Sequence, residues 1–314
     1  MSDRPRKTRL APSPTGALHL GNARTFLLTW LWARHEGARI VLRVEDIDGP
    51  RVKQDAATQA LEDLRWLGLD WDEGPVVQTD RLALYQAALE KLGAYPCVCT
   101  RKEVEAAASA PHGPEDEGPR YPGTCRGRFE SAEDALAKSG RAPCWRFPAP
   151  QGDIPFQDVF AGPQAFDVAR LSGDFVVAKA TGPAYQLAVV VDDAAMEITH
   201  VIRGDDLLSS TSRQLLLYSK LGLEPPRFAH LPLVVGEDGR RLAKRHGDTR
   251  ISYYREAGVS AARVIALLAR WSGLPERPTA RELVPDFALE KIPRERVVFT
   301  AADDRWLLDA RSGR

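Results

Sequence analysis

The segment from Arg9 to Asn22 (RLAPSPTGALHLGN) gathers residue types that suit phosphoryl chemistry. Its prolines and first glycine predict a loop, and an apolar pattern typical of a helix begins at Leu18. Backbone N–H groups at a helix start favour phosphate oxygens, and Gly21 would let a ligand approach the backbone closely. His19 could donate a hydrogen bond to a developing charge. We therefore predict a nucleotide site here, although His19 alone could equally be a capping or surface histidine.

Three charged residues, Arg9, Glu45 and Arg203, offer both signs of charge, and buried charges need partners. A ligand that carries carboxylates and an ammonium group would supply such partners. The spacing does not indicate which arginine would take which carboxylate. Asp205 and Asp206 are interpreted as residues that cap the next helix and orient Arg203, and not as a catalytic pair.

Cysteines indicate a metal site. Three of the four lie close together in the sequence: Cys97, Cys99 and Cys125. In a chain without an evident secretion signal, such a cluster favours metal binding over disulfides, and a Cys-x-Cys pair on an extended segment points to one side. Structural zinc takes four ligands, which leaves one place for Tyr121 or His112. The alternative is a set of reduced free thiols, which is our interpretation of the isolated Cys144.

The string RLAPSPTGALHLGNAR closely resembles the signature of glutamyl-tRNA synthetases, with HLGN in place of the HIGH element of class I synthetases. The later stretch RLAKR, at Arg241 to Arg245, resembles their KMSKS loop and places Lys244 at its second lysine. The resemblance implies that Lys244 holds the ATP phosphates, with Mg²⁺ assisting. It implies three catalytic residues: His19, Asn22 and Lys244. It implies four ATP ligands: His19, Gly21, Asn22 and Lys244.

The same resemblance implies a binding site for L-glutamate. Its residues would be Arg9, Ala11, Ser13, Glu45, Tyr185 and Arg203. Glu45 would pair with the amino group, and the two arginines would take the carboxylates. Tyr185 and Arg203 lie in the motifs AYQLAVVVDD and HVIRGDDLL, although Tyr185 alone could be a core aromatic residue.

The Cys-x-Cys and Tyr-x-x-x-Cys pattern is similar to that of glutamyl-queuosine tRNA(Asp) synthetases, which are shortened paralogues of glutamyl-tRNA synthetases. This resemblance implies one Zn²⁺ on Cys97, Cys99, Tyr121 and Cys125, and it favours Tyr121 over His112. The chain ends 70 residues after Lys244, whereas a full glutamyl-tRNA synthetase is expected to continue into a large anticodon-binding region.

The expected activity is tRNA-independent activation of glutamate by ATP, followed by transfer onto queuosine in the anticodon of tRNA(Asp). One alternative is an abbreviated glutamyl-tRNA synthetase that charges the 3′ end of tRNA(Glu). The other is a catalytically inactive RNA-binding paralogue, which the degenerate RLAKR loop would allow.

The pattern of apolar residues predicts the elements that position these side chains: an α/β fold with a Rossmann-type parallel sheet. A first βαβ unit comprises a strand at 8–11, a helix from Leu18 to Arg34 and a strand from Ala38 to Val44. Further helices are predicted at Ala56–Leu67, Arg81–Leu92 and Leu207–Leu221. Further strands are predicted at Phe175–Lys179, Leu187–Asp192 and Ile198–Ile202.

Four regions follow from this pattern. Residues 1–96 would form the first half of the catalytic domain and 97–174 an insertion with the zinc site. Residues 175–250 would form the second half with the KMSKS-like loop, and 251–314 a small helical subdomain.

Composition adds few constraints. The 314 residues include 43 Lys and Arg and 43 Asp and Glu, so an RNA partner would need a local basic patch and not a global positive field. The N-terminus lacks the apolar stretch of a signal peptide, and the longest apolar-rich run, Phe26 to Ala33, is too short to span a bilayer. We expect a cytoplasmic monomer with no membrane contact.

Overall fold

The computed structural model describes residues 4–14, 16–47, 54–107, 119–242 and 247–309. Two residues that were predicted as ligands, Lys244 and His112, lie outside these ranges, as does most of the RLAKR stretch.

Strands of the described residues form one parallel layer and several antiparallel pairs. They are β1 (Lys7–Leu10), β2 (Arg39–Val44), β3 (Glu73–Val77), β4 (Tyr95–Cys97), β5 (Cys144–Phe147), β6 (Asp153–Asp158), β7 (Gly162–Asp167), β8 (Phe175–Lys179), β9 (Gly182–Pro183), β10 (His200–Gly204), β11 (Arg227–Leu231), β12 (Val234–Val235) and β13 (Val297–Val298). Parallel pairing joins β1, β2 and β3 in that order and, separately, β10 with β11. Thr199 N donates to Lys7 O at 2.9 Å, so the two parallel sheets lie side by side.

Helices surround this layer. They are α1 (Leu20–His35), α2 (Gln54–Trp66), α3 (Leu82–Leu89), α4 (Arg101–Ala107), α5 (Ala132–Ser139), α6 (Val168–Leu171), α7 (Tyr185–Ala195), α8 (Ser210–Leu221), α9 (Ile251–Glu256), α10 (Ala261–Trp271), α11 (Ala280–Leu283) and α12 (Ala301–Leu308). The predicted α/β class and the first βαβ unit are therefore confirmed, with ends that differ by one or two residues.

Alternate residues of the parallel strands enter two different cores. Ile40 and Leu42 of β2 face a core with α1, whereas Val41 between them faces a core with α7 and α8. In β10, Ile202 likewise faces the core with α1, and Val201 faces the core with α7 and α8. A sheet that is covered on both faces explains why its strands are almost continuously apolar.

The predicted strand Leu187–Asp192 is wrong, because these residues lie within α7. The run LAVVVD is rich in β-branched residues, but nearly all of it is buried, and a short apolar run does not distinguish a strand from a buried helix. Phe175–Lys179 is confirmed as a strand, β8. It pairs antiparallel with β5 and β9, so it belongs to the four-stranded sheet β4-β5-β8-β9 and not to the parallel layer.

The C-terminal helices share the core of α1. Leu267 and Leu268 of α10, Leu283 of α11 and Leu307 of α12 are fully buried in the same cluster as Trp30. In addition, β13 pairs in parallel with β12, which directly follows the loop after β11. The predicted helical character of this region is confirmed, and its helices complete a layer of the catalytic fold.

The insertion has a small core of its own. It consists of Cys97, Val104, Tyr121, Cys125, Phe129 and Ala135. Across the described residues, no helix is both long and apolar enough to cross a membrane.

Candidate active site and cysteine cluster

A cavity of about 580 Å³ opens where β1, β2 and β10 end. Its lining includes every described residue that was predicted to bind glutamate or ATP: Arg9, Ala11, Ser13, His19, Gly21, Asn22, Glu45, Tyr185 and Arg203. In α/β folds, ligands bind beyond the carboxyl ends of the parallel strands, which is where these loops meet. The structure thus brings the predicted residues together around one space, and their individual roles remain predictions.

His19 is the N-cap residue of α1. Its Nδ1 accepts hydrogen bonds from the backbone N–H groups of Gly21 at 3.1 Å and Asn22 at 3.3 Å. Burial, together with the charge of Arg241, lowers the pKa of His19 to about 4. The neutral ring therefore carries its proton on Nε2 and can act as a donor there.

The backbone amides at this helix start are already engaged. Besides Gly21 and Asn22, Leu20 N donates to Thr249 O and Ala23 N to His19 O, both at 2.9 Å. Each of these N–H groups thus has a partner within the described residues, and their binding of phosphate stays a prediction. A Cβ at Gly21 would lie 3.0 Å from His19 Cε1, so Gly21 makes room for the histidine ring.

The first two residues of the KMSKS-like stretch border the cavity. Arg241 and Leu242 line it, and Arg241 forms an ion pair of 2.9 Å with Asp206. Beyond the loop, Ile251 N donates to Leu18 O at 2.8 Å, which complements the bond from Leu20 to Thr249. The described chain therefore returns to the start of α1 directly after this loop.

The sequence analysis missed Arg43, a fully buried arginine of β2. Its Nη1 donates to Asp193 Oδ1 at 2.6 Å, and its Nη2 donates to Glu45 Oε1 at 3.0 Å. Burial lowers the pKa of Arg43, but Asp193, Glu45 and Asp192 outweigh it and raise the pKa overall. A charged residue within the otherwise apolar strand RIVLRV was the available signal, since a buried arginine requires carboxylate partners.

Arg9 lies beside this network. Its Nη1 donates to Ile202 O at 3.2 Å, and its Nε lies 3.9 Å from Asp193 Oδ1. Nε is buried without a hydrogen-bond partner in the described residues, and burial lowers the pKa of Arg9. An additional acceptor, such as a carboxylate in the cavity, would satisfy it.

Arg203 is held by residues that the sequence analysis did not select. Its Nε donates to His230 Nε2, and its Nη2 donates to Thr211 Oγ1 and Gln214 Oε1, each at 2.9 Å. The interpretation of Asp205 and Asp206 as orienting and capping residues is wrong. Asp206 pairs with Arg241 and Asp205 with Arg296 at 3.4 Å, and neither of them caps α8.

Tyr185 begins α7 and lines the cavity. Burial raises the pKa of Tyr185, so its hydroxyl stays protonated and can donate a hydrogen bond to a ligand.

The cysteine cluster forms as predicted. The Sγ atoms of Cys97, Cys99 and Cys125 all lie within 4.8 Å of one another, with Cys99 and Cys125 at 3.5 Å. The hydroxyl of Tyr121 lies 3.3 Å from Cys97 Sγ. Sulfur atoms bound tetrahedrally to zinc lie roughly 3.8 Å apart, given Zn–S bonds of about 2.3 Å. The donor set therefore fits a zinc ion, and this group can hold a metal.

Cys144 is a free thiol, as predicted, but it is not isolated. It lies opposite Cys97 in the β4–β5 pair, and its Sγ donates to Cys97 O at 3.2 Å. Arg146, on the same strand, donates to Cys97 Sγ at 3.3 Å and stacks 3.7 Å above the ring of Tyr121. These contacts brace the cluster from one side.

A glycine packs against the backbone of Tyr121. Gly173 bridges to Tyr121, and a Cβ at Gly173 would lie 2.1 Å from Tyr121 O. Its φ of +68° adds a second reason for glycine at this position.

Comparisons with known proteins agree with this geometry. The family described as tRNA synthetases class I (E and Q), catalytic domain, matches residues 6–292. The glutamyl-Q tRNA(Asp) synthetase of Symbiobacterium thermophilum is 53% identical over 305 residues, which cover 92% of this chain and 94% of that protein. The glutamate–tRNA ligase 2 of Syntrophus aciditrophicus is 41% identical over 98% of this chain but only 66% of its own.

A solved structure is similar as well. The crystal structure of a glutamate tRNA ligase from Elizabethkingia meningosepticum, in complex with its amino acid, superposes with a TM-score of 0.80 at 29% identity. The match covers 97% of this chain and 69% of that one. The chain therefore belongs to the class I tRNA synthetases (E and Q), which are ligase-type enzymes, and within them to the family of the glutamyl-Q tRNA(Asp) synthetases.

Proposed function

We propose that this enzyme activates L-glutamate with ATP, in the absence of tRNA, and transfers it onto queuosine in the anticodon of tRNA(Asp). The observation that carries the proposal is the single cavity that collects Arg9, Glu45, Tyr185 and Arg203 next to His19. The acceptor is inferred from the relatives named glutamyl-Q tRNA(Asp) synthetase, at 48% to 53% identity.

In the activation step, the α-carboxylate of glutamate attacks the α-phosphorus of ATP. The bond to pyrophosphate breaks, pyrophosphate leaves, and a glutamyl-adenylate forms. His19 donates from Nε2 to the phosphate charge, Asn22 and Gly21 border the nucleotide, and Lys244 neutralises the departing pyrophosphate. Mg²⁺, when bound with ATP, would supply further positive charge to the phosphates. A hydroxyl of queuosine then attacks the activated carbonyl, and AMP leaves.

Substrate recognition follows from the charges around the cavity. Glu45 binds the ammonium group of glutamate, Arg9 and Arg203 bind its carboxylates, and Ala11, Ser13 and Tyr185 border it. The unsatisfied Nε of Arg9 supports its part in this set, because a ligand carboxylate would supply the acceptor that the described residues lack.

Zinc is proposed to have a structural role on Cys97, Cys99, Tyr121 and Cys125. This group lies in the core of the insertion, and none of the four residues lines the glutamate cavity. The ion would fasten β4 to the segment around Tyr121, and its removal would loosen the insertion.

A first experiment tests activation. Purified enzyme is incubated with ATP, labelled pyrophosphate and glutamate, without any tRNA. Exchange of label into ATP is expected with glutamate and absent with aspartate or glutamine. No exchange under any condition would favour an inactive RNA-binding paralogue, and exchange only when tRNA(Glu) is present would favour a glutamate–tRNA ligase.

A second experiment locates the product. Labelled glutamate and ATP are supplied with tRNA(Asp) that contains or lacks queuosine, and the tRNA is then cut with a nuclease to separate the anticodon loop from the 3′ end. Label is expected in the anticodon fragment of the queuosine-containing tRNA alone. Label confined to a 3′ end would refute the proposed acceptor.

A further inference from the structure

Arg203 differs from Arg43, another buried arginine beside the cavity, in the kind of acceptor it meets. Its described partners are uncharged: the ring of His230, the hydroxyl of Thr211 and the side-chain amide of Gln214. Arg43, in contrast, binds the carboxylates of Glu45 and Asp193. The charge of Arg203 is therefore not neutralised by an ion pair within the described residues.

His230 lies between Arg203 and the carboxylate of Asp158. Asp158 Oδ2 lies 2.6 Å from His230 Nδ1, and Arg203 Nε lies 2.9 Å from His230 Nε2. Asp158 and His230 are both fully buried, and Arg203 is 5% exposed. One imidazole ring therefore stands between a buried anion and a buried cation.

The protonation state of His230 follows from its neighbours. A guanidinium offers only N–H donors, so Arg203 Nε–H must donate and His230 Nε2 must accept. Nδ1 then carries the ring proton and donates it to Asp158. Burial lowers the pKa of His230 to about 4, against the opposing effect of Asp158, so the ring is neutral at ordinary pH.

Other contacts fix the geometry of this chain of hydrogen bonds. Asp158 Oδ1 accepts from Phe160 N at 2.9 Å, Ala161 N at 2.7 Å and His230 N at 3.2 Å. The guanidinium of Arg203 lies 5.1 Å from the centre of the Phe228 ring, which also stacks on His230. The position of the arginine is thus determined from β6, β10 and β11 together.

We propose that His230 is a positioning residue that holds Arg203 for a glutamate carboxylate and, as a neutral spacer, keeps the Asp158 carboxylate from neutralising the guanidinium. The inference rests on the proposed function for the identity of the ligand. It assigns the work of orienting the arginine to Asp158 and His230, which lie outside every motif of the sequence analysis.

Two variants of similar size separate positioning from simple packing. His230→Gln keeps a neutral acceptor for Arg203, whereas His230→Glu places a carboxylate against it. The KM for glutamate in pyrophosphate exchange should rise less than about 10-fold in the glutamine variant and about 100-fold or more in the glutamate variant, because the new ion pair competes with the substrate. The KM for ATP should stay within about twofold.

Controls address the folding of these variants. His200→Gln changes another histidine of the same strand as Arg203, outside the cavity, and should leave both KM values unchanged. The comparison is repeated in an Asp158→Asn background, which removes repulsion between Asp158 and the new carboxylate. Equal glutamate KM values for the two His230 variants in both backgrounds would overturn the proposal.

A measurement without substrate makes the inference independent of activity. In ¹⁵N-histidine NMR spectra of the unmodified protein, His230 should show the neutral Nδ1–H tautomer from pH 6 to 8, and His19 should show the opposite Nε2–H tautomer. A charged or Nε2–H ring at His230 overturns the proposal even if exchange is normal. If glutamate supports no pyrophosphate exchange, the proposed function is refuted. The tautomer of His230 would then still show whether a neutral ring lies between Asp158 and Arg203.

Discussion

Arg43 donates two hydrogen bonds to a single oxygen of Glu45, from Nη2 at 3.0 Å and from Nε at 3.3 Å. The other oxygen, Oε2, accepts no hydrogen bond from the described residues. Burial raises the pKa of Glu45, and the charges of Arg43 and Arg9 oppose that rise. Arg43 therefore orients the carboxylate that is proposed to bind the ammonium group of glutamate and leaves one oxygen for it.

This relationship predicts the effect of Arg43→Lys. A single ammonium group cannot serve Glu45 and Asp193 in the fork geometry of a guanidinium, so Glu45 should lose its fixed orientation. We expect the KM for glutamate to rise by about 10-fold and the KM for ATP to change less than about twofold. Pyrophosphate exchange measures both values on protein whose folding is verified by circular dichroism.

Arg39→Lys is the matched control, since Arg39 begins the same strand and forms only an exposed pair with Glu73. It should leave both constants unchanged. If the two variants behave alike, Arg43 has no special part in binding glutamate.

His19 should have two functions that substitutions can separate, one structural and one catalytic. His19→Asn retains an acceptor for Gly21 N and Asn22 N but lacks the Nε2–H donor, whereas His19→Ala loses both. We expect the asparagine variant to unfold in urea with a free energy close to that of the parent and the alanine variant to lose about 1 kcal/mol. Adenylate formation should fall by about 100-fold in both. Activity retained by His19→Asn would contradict a donor role.

Zinc binding should depend on the cysteines of the cluster and not on Cys144. Cys97→Ser and Cys125→Ser should purify with much less than one zinc per chain by elemental analysis, whereas Cys144→Ser should retain a full equivalent. Tyr121→Phe should weaken the retention of zinc during dialysis against a chelator if its hydroxyl is the fourth ligand. Full zinc in the Cys97→Ser variant would end the metal assignment.

Asp63 should make stability depend on pH. It lies fully buried on α2, 3.5 Å from Arg255 Nη1 of α9, and burial raises its pKa to about 6 from 3.8. Between those values the folded state holds a proton that the unfolded state has lost, so stability falls as the pH rises through this window. Asp63→Asn should remove this dependence of stability on pH. Its free energy of unfolding should match that of the unmodified protein at pH 4 and exceed it by about 2 kcal/mol at pH 8.

Urea unfolding at several pH values checks this expectation. Glu62→Gln is the control, because Glu62 also pairs with Arg255 but is half exposed. An Asp63→Asn variant whose stability difference does not change with pH would refute the assignment.

Sequence motifs identified residues that line the cavity, but they did not identify the residues that hold those side chains in place. The string around His19 and the charged residues Glu45 and Arg203 could be found because they lie in motifs that resemble those of a known family, and all of them line one cavity. Which residues hold Arg203 could not be found in this way. Its neighbours Asp205 and Asp206 were the natural candidates, but the strand turns them toward Arg241 and Arg296, and His230 reaches it from the adjacent strand.

The fold was predictable where the length of an apolar run decides between helix and strand, as for the long α1 and the short β2. It was not predictable for Leu187–Asp192, because this run is as short as a strand and is buried throughout, so neither its length nor a polar face reveals the helix. The assignment of β8 to the antiparallel sheet depends on pairing with β5, a contact between distant residues that local patterns do not contain.

The common core of α1 and the C-terminal helices has a practical consequence for protein engineering. Leu267 of α10 and Leu283 of α11 share a core with the helix that His19 caps, and α12 packs on α10. The region after residue 250 is therefore not an exchangeable module, and a chimaera that replaces it with helices from another synthetase must also redesign the residues on α1 that they contact. The residues around the cysteines are different, because Cys97, Val104, Tyr121, Cys125, Phe129 and Ala135 form a separate small core, and changes within that core need not disturb α1.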